Sequence, residues 1–250
     1  MNLINFRDIG GIKNKEGKLL KTQSLLRSGE LVNISENDKN CLIQRYNLNE
    51  IIDLRNEKEI VRRPDDKIKG TKLVNIEVMK SAKTNGVSLD DLEKIGSTKF
   101  VDDHMFSVYH DLILNKEAQK GFGKFLDLLI MDDKGATLFH CFAGKDRTGI
   151  AAALVLWLLD VEEKLIIEDY LKTNESRRIA NQLILNEYRA KGSKEESLKA
   201  LEIALKVKKE YLERAHDLIK DNYGDVYTYA DKALDFSKSK VEQLRNMYLN

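Results

Sequence analysis

The sequence has few residues that could crosslink it and no segment long enough to anchor it in a membrane. Of its 250 residues only two are cysteines, Cys41 and Cys141. So few thiols exclude a disulfide framework, and the reduced state is the expectation. There is one proline, Pro64, which closes a short helical turn, EKEIVRR. No stretch is rich enough in Gly, Ser or Pro to act as a linker, and no repeat or low-complexity tract is present. Residues 1–250 therefore read as one domain. The longest apolar run, GIAAALVLWLLDV, is too short to span a bilayer and reads as a buried helix, so no stable membrane insertion is expected. The first residues, MNLINFRDIGG, lack both the basic start and the apolar run of a signal peptide. A cytoplasmic compartment is the default expectation, with export left open. Charge of one sign is also lacking: 42 Lys and Arg face 41 Asp and Glu, for a net charge of +1. Such a balance gives no field for nucleic acid or an anionic membrane, so any affinity for anions must be local.

The remaining composition is that of a globular protein, 42% hydrophobic and 33% charged. The stretches SLLRSGEL, EIIDLRN, TKLVNIEV and GATLFHC read as strands. Ser35, with Asp38 three residues on, opens a helix that contains Cys41. Residues 81–99 read as a long loop. HMFSVYHDLIL and KEAQKGFGKFLDLLIM have helical spacing, and from about residue 162 nearly everything does, including one continuous stretch, KEESLKALEIALKVKKEYLERAHDLIK. The expected fold is α/β, a central sheet of about four or five strands flanked by helices, with a helical insertion over about 162–220.

One loop concentrates the chemistry: HCFAGKDRTG, residues 140–149. A strand that ends in a tight glycine-containing loop and then opens a helix aims backbone N–H groups at one point. The helix terminus adds about half a positive charge there. Such a nest binds a tetrahedral anion. Gly144 and Gly149 allow close backbone approach, and Arg147 can grip two phosphate oxygens with its planar fork. Cys141 starts the loop inside that positive field, which favours the thiolate, an in-line nucleophile toward a bound phosphoryl group. The site is complete with neither metal nor cofactor. A Walker-type nucleotide loop does not fit, because Lys145 is followed by Asp146 and Phe139 stands where a glycine is required.

His140-Cys141, five intervening residues, and Arg147-Thr148-Gly149 together resemble the signature of the cysteine-dependent protein tyrosine phosphatase superfamily. The longer form resembles a bacterial branch that includes secreted tyrosine/phosphoinositide phosphatases of intracellular pathogens. Asn5-Phe6-Arg7-Asp8-Ile9-Gly10-Gly11, Leu26-Arg27-Ser28-Gly29 and Asp53-Leu54-Arg55 are similar to further motifs of that branch. The resemblance spans nearly the whole chain; residues after 162 depart most in composition.

The resemblance implies a phosphatase fold and a phosphocysteine intermediate. It implies phosphotyrosine proteins or peptides as partners, phosphoinositides as a further substrate class, and phosphate as product. It carries Cys141 over as nucleophile, Arg147 as phosphate clamp and Asp146 as the acid for the leaving oxygen. Phe142, Ala143, Gly144, Lys145, Thr148 and Gly149 would line the substrate site. Lys145 is linked to additional substrate phosphates, as a second cation on the rim would be. His140, Asp53, Arg27 and Asp8 are supporting residues, Asp53 as a strand-end acid bonding Arg55. Asp53, Asp102, Asp103 and Asp111 compete with Asp146 for the acid role. A catalytically silent phospho-ligand module and a phosphotransferase are the alternatives, and turnover of an aryl phosphate separates the first from an enzyme.

Overall fold

The computed structural model describes residues 1–79, 98–131 and 134–250. The four expected strands are all present: β2 (Leu25–Ser28), β3 (Leu48–Asp53), β4 (Lys72–Asn75) and β5 (Ala136–His140). A fifth, the two-residue β1 (Arg7–Asp8), lies within the stretch Asn5–Gly11 and is too short to leave a periodic signal. The sheet order is β1-β2-β5-β3-β4, with β1 antiparallel to β2 and the other pairs parallel.

Alternation along the inner strands divides the core between two faces. Leu26, Ile51 and Leu138 join Leu42 of α1 (Glu36–Gln44) on one side. Leu25, Ile52 and Phe139 point to the larger core on the other. Each such fully buried side chain contributes roughly 1.5–3 kcal/mol. The larger core is covered by α3 (Val101–Leu114), α4 (Lys116–Met131) and α5 (Arg147–Leu158), whose twelve residues are all buried. That burial is why GIAAALVLWLL is apolar all round. A short helix, α2 (Glu57–Arg62), follows β3 and begins with a full capping box between Asn56 and Glu59.

The C-terminal half is helical: α6 (Glu163–Ser176), α7 (Arg178–Ala190), α8 (Glu195–Ala204), α9 (Lys209–Tyr223), α10 (Val226–Leu234) and α11 (Lys238–Tyr248). Tyr170, Leu201, Tyr211 and Leu212 belong to the same large core as α5, so the segment over 162–220 is packed into the domain. No helix among the described residues is long and apolar enough to cross a membrane.

Two expectations are corrected or left aside. The continuous helix over KEESLKALEIALKVKKEYLERAHDLIK is broken between α8 and α9. Side chains from elsewhere take the backbone groups at the break. Lys145 donates to Ala204 O, Asn181 donates to Leu205 O, and Asn174 bonds both the N–H and the C=O of Val207. These partners lie 24 to 59 residues away, so local periodicity cannot register them. The loop expected over 81–99 lies outside the described residues as far as 97; Thr98–Phe100 form a 3-10 turn into α3.

Candidate active site

Parallel α/β sheets present their loops at the carboxyl ends of the strands. Here the register pairs Ser28 and Asp53 with His140, so β2, β3 and β5 end level with one another. The loop from Cys141 to Asp146 leaves β5 at that edge and runs into the N-terminus of α5. Gly144 has φ +65°, and a Cβ on it would meet Ser28 O at 2.2 Å, so only glycine fits.

Each carbonyl of the loop's first half is taken by a donor from outside it. His140 Nδ1 lies 3.2 Å from Cys141 O, and the Glu30 N–H donates to Phe142 O at 3.0 Å. Arg177 donates to Ala143 O at 2.9 Å. Gly144 O accepts from Asn5 Nδ2 at 2.7 Å and from Arg27 at 3.1 Å. With the carbonyls drawn outward, the N–H groups of Phe142 to Arg147 find no acceptor among the described residues. Unpaired donors on a loop that runs into a helix N-terminus are the makings of an anion cradle.

Cys141 is 2% exposed at the floor of a pocket of about 30 Å³. The walls are Phe142, Ala143, Lys145, Asp146 and Arg147 together with Met79, Val108, Arg177, Ala204 and Leu205; Gly144, Thr148 and Gly149, expected at the substrate site, do not line it. Arg147 is 9% exposed and held by a bidentate pair with Glu59 of α2. Burial opposes its charge, but Glu59, Cys141 and Asp146 outweigh burial and raise its pKa, so the guanidinium stays charged. The same contact, against the cost of burial, holds Glu59 below the ordinary carboxylate range. Arg177 also lines the pocket, and no carboxylate lies within ion-pair distance of it among the described residues. Burial lowers its pKa, with Cys141 and Asp146 pulling it the other way.

Asp146 occupies the N-cap position of α5, yet its side chain makes no capping bond. Its Oδ1 accepts from the Tyr109 hydroxyl at 2.9 Å, and its Oδ2 lies 3.4 Å from Lys145 Nζ. Lys145 is only 3% exposed. The rim cation expected from the sequence is instead turned inward, donating to Ala204 O at 2.5 Å and to Lys206 O at 3.5 Å. Burial lowers its pKa, and Asp146 works the other way. Thr148 is fully buried and its hydroxyl has no partner among the described residues. Gly149 lets the Tyr170 ring approach, since a Cβ there would sit 3.1 Å from it.

The supporting residues separate into distinct clusters. Arg27 touches the loop and, together with Arg7, grips Asp169 of α6. Burial and the adjacent Arg7 push Arg27 down to about 10. Asp8 stands apart: its carboxylate accepts the N–H groups of Gly10 and Gln23 and does not line the pocket. Asp53 bonds the backbone and guanidinium of Arg55. Asp102 pairs with Lys208 and accepts from Tyr211. None of Asp53, Asp102, Asp103 and Asp111 lines the pocket.

His140 Nε2 lies 3.0 Å from Asp65 Oδ2. Burial disfavours the imidazolium, but Asp65 and Asp53 outweigh burial and raise the His140 pKa. Asp53, Asp65 and His140 are close enough to share a metal ion. The Arg55 guanidinium already sits between the two acids, 2.9 Å from Asp53 and 2.8 Å from Asp65, and supplies the positive charge itself.

Four residues at or behind the loop are invisible to motif reading: Glu59, Asp65, Asp169 and Arg177. Glu59 had one local signal, the Asn56-x-x-Glu59 capping box. Asp65, Asp169 and Arg177 sit in stretches that read only as charged chain.

A sequence profile described as "Tyrosine phosphatase family" matches residues 1–250. The chain belongs to the tyrosine phosphatase family. This family member is 30% identical over 248 residues to a candidate tyrosine-protein phosphatase of Cupriavidus necator, covering 98% of the chain and 85% of the relative. It is 25% identical over 277 residues to the triple specificity protein phosphatase PtpB of Mycobacterium tuberculosis, covering 98% and 96%. Against the crystal structure of a cysteine-to-serine variant of P. aeruginosa TpbA with pTyr, the TM-score is 0.31 at 11% identity, covering 75% of this chain and 89% of that one.

Proposed function

We infer that this family member hydrolyses phosphotyrosine monoesters through a phosphocysteine. The observation that carries the reading is Cys141 at the head of a loop whose N–H groups from Phe142 to Arg147 find no acceptor among the described residues, in a pocket it shares with Arg147 and Arg177. Cys141 Sγ attacks phosphorus in line, the bond to the tyrosyl oxygen breaks, and Asp146 gives that oxygen a proton. Water then attacks the phosphocysteine, the S–P bond breaks and phosphate leaves. The Cys141 thiolate is regenerated and Asp146 takes the proton from the water. Arg147 holds two equatorial oxygens throughout, with its fork aimed by Glu59.

The C. necator and M. tuberculosis relatives, both called phosphatases, support turnover over silent binding. The latter's name, triple specificity, supports a range wider than one substrate class, and phosphoserine, phosphothreonine and phosphoinositides are the further classes we assign to this chain. For a multiply phosphorylated lipid, Arg177 is the better-placed second cation, because Lys145 would first have to leave Ala204 O. The segment over 162–220 contributes Arg177, Ala204 and Leu205 to the pocket walls and acts as its cover.

The test is steady-state kinetics on a phosphotyrosine peptide, a phosphoserine peptide and inositol lipids side by side, with acid-quench trapping of the phosphoenzyme. Turnover of the phosphotyrosine peptide with a trapped phosphocysteine is the expected result. Binding without turnover would establish the silent module instead.

A further inference from the structure

Asp146 is held from behind by two buried tyrosines. Tyr109, on α3, donates its hydroxyl to Asp146 Oδ1 at 2.9 Å. The Tyr170 hydroxyl, on α6, lies 2.5 Å from the Tyr109 oxygen. Both residues are at most 1% exposed, and their rings meet edge to face with centroids 6.4 Å apart. The Tyr170 hydroxyl has no other partner among the described residues.

An aspartate at a helix N-cap ordinarily turns its carboxylate back onto the helix N–H groups. Asp146 does not, although it occupies that position. Its oxygens are drawn to Tyr109 on one side and Lys145 on the other. Burial, together with the nearby Asp146 charge, raises both phenol pKa values well above the ordinary range, so the two tyrosines stay neutral. Each then has one proton to give. With Asp146 ionised, the chain runs Tyr170 to Tyr109 to Oδ1. With Asp146 protonated on Oδ2, the same chain persists unchanged.

We propose that Tyr109, backed by Tyr170, is a positioning residue that fixes Asp146 Oδ1 and so reserves Oδ2 as the oxygen that delivers the proton to the leaving group. The inference rests on the acid role given to Asp146 above. It adds no group to the reaction: the proton moves from Asp146 Oδ2 to the leaving oxygen, and the Tyr109 proton stays where it is. Without the Tyr109 hydroxyl the carboxylate is free to swing onto the α5 N–H groups or Lys145, and proton delivery suffers.

The experiment measures log kcat/KM against leaving-group pKa for a series of aryl phosphates. The enzymes are wild type, Tyr109→Phe, Tyr170→Phe, Asp146→Asn and the Tyr109→Phe/Asp146→Asn double variant. Tyr109→Phe should lose about tenfold more on phenyl phosphate than on nitrophenyl phosphate, a part of the roughly 10²–10⁴-fold that a full acid–base contribution supplies. Tyr170→Phe should show the same tilt, to a lesser degree. The double variant should tilt no further than Asp146→Asn alone, because the hydroxyl acts only through that carboxylate. A wild-type slope in both tyrosine variants, beside a steepened slope in Asp146→Asn, overturns the inference and leaves the acid role standing. An unchanged slope in Asp146→Asn removes the acid role, and the inference falls with it. A uniform loss on all esters in Tyr109→Phe, with Tyr170→Phe like wild type, makes the pair a packing element and overturns the inference too.

Discussion

Glu59 spans both terminal nitrogens of Arg147, Oε2 to Nη1 at 2.6 Å and Oε1 to Nη2 at 2.7 Å, while Oε2 also accepts the Asn56 N–H at 2.9 Å. One carboxylate therefore closes a capping box and holds the Arg147 guanidinium, the proposed phosphate clamp. Glu59→Gln keeps the shape but cannot serve two N–H donors equally. It should lower kcat/KM on a phosphotyrosine peptide about tenfold or more, with a stability loss of about 1 kcal/mol from the weakened cap. Kinetics together with urea denaturation separate the two effects; unchanged kinetics would release Glu59 from the aiming role.

Cys141→Ser should abolish turnover yet keep affinity for phosphate or vanadate, because the cradle is mostly backbone. Arg147→Lys should lose most activity, since a point charge cannot hold two oxygens in fork geometry. Peroxide should inactivate the wild type, with excess phosphate protecting it and thiols reversing early oxidation. Cys41 lies half-buried in α1, a poor site for a resolving thiol. Equal inactivation with and without phosphate would place the sensitive group elsewhere.

The two ion pairs behind the loop have opposite pH signatures. His140 has a raised pKa in the fold, so its contribution to stability is full below the ordinary 6.5 and is lost as pH rises through the raised value. Glu59 has a lowered pKa, so its contribution is full above the ordinary 4.5 and is lost as pH falls through the lowered value. Thermal melts should therefore weaken on both flanks. Asp65→Asn should flatten the alkaline flank and Glu59→Gln the acid flank; a flank that stays as steep in its variant argues against that pair.

Asp169 joins Arg7 of β1, Arg27 of β2 and its own helix α6. Arg27 is 1% exposed and Asp169 3%, so Asp169→Asn leaves buried cations short of a counter-charge. The expected cost is roughly 3–5 kcal/mol. Because Arg27 also touches Gly144 O, phosphate affinity should fall as well. Chemical denaturation and phosphate titration are the measurements, and a loss of stability alone would separate the anchor from the loop.

The break between α8 and α9 should behave as a cover. Asn174→Ala and Asn181→Ala remove bonds to Val207 and Leu205. Hydrogen exchange in residues 204–208 should quicken in both variants. In the wild type it should slow on binding a bulky inhibitor. No change on binding would make the helices ordinary scaffold.

The reasons some features were legible in the sequence and others were not are physical. Short apolar runs bounded by turn signals exposed the four longer strands, because β2, β3 and β5 are buried along nearly their whole length and so read as continuous apolar runs. The His140–Gly149 loop stood out because its reactive side chains are packed into ten adjacent residues. What stayed hidden depends on contacts across large separations. Lys145 reads as a surface charge until Ala204 O, 59 residues away, takes it. Arg177 reads as one more charged helix residue until Ala143 O, 34 residues away, turns it into the pocket. Glu59 and Asp169 find their guanidinium partners 88 and as many as 162 residues away.

The outward-facing carbonyls of the loop have a practical consequence for anyone wishing to transplant it. Residues 140–149 look like a self-contained cassette, but their shape is imposed by Asn5, Arg27, Glu30 and Arg177, and by the space that Ser28 O denies to any side chain at position 144. Grafted onto a foreign strand and helix without those five neighbours, the ten residues would be free to turn their carbonyls inward, toward the place proposed for the anion. The smallest portable unit of this loop geometry extends from Asn5 to Arg177.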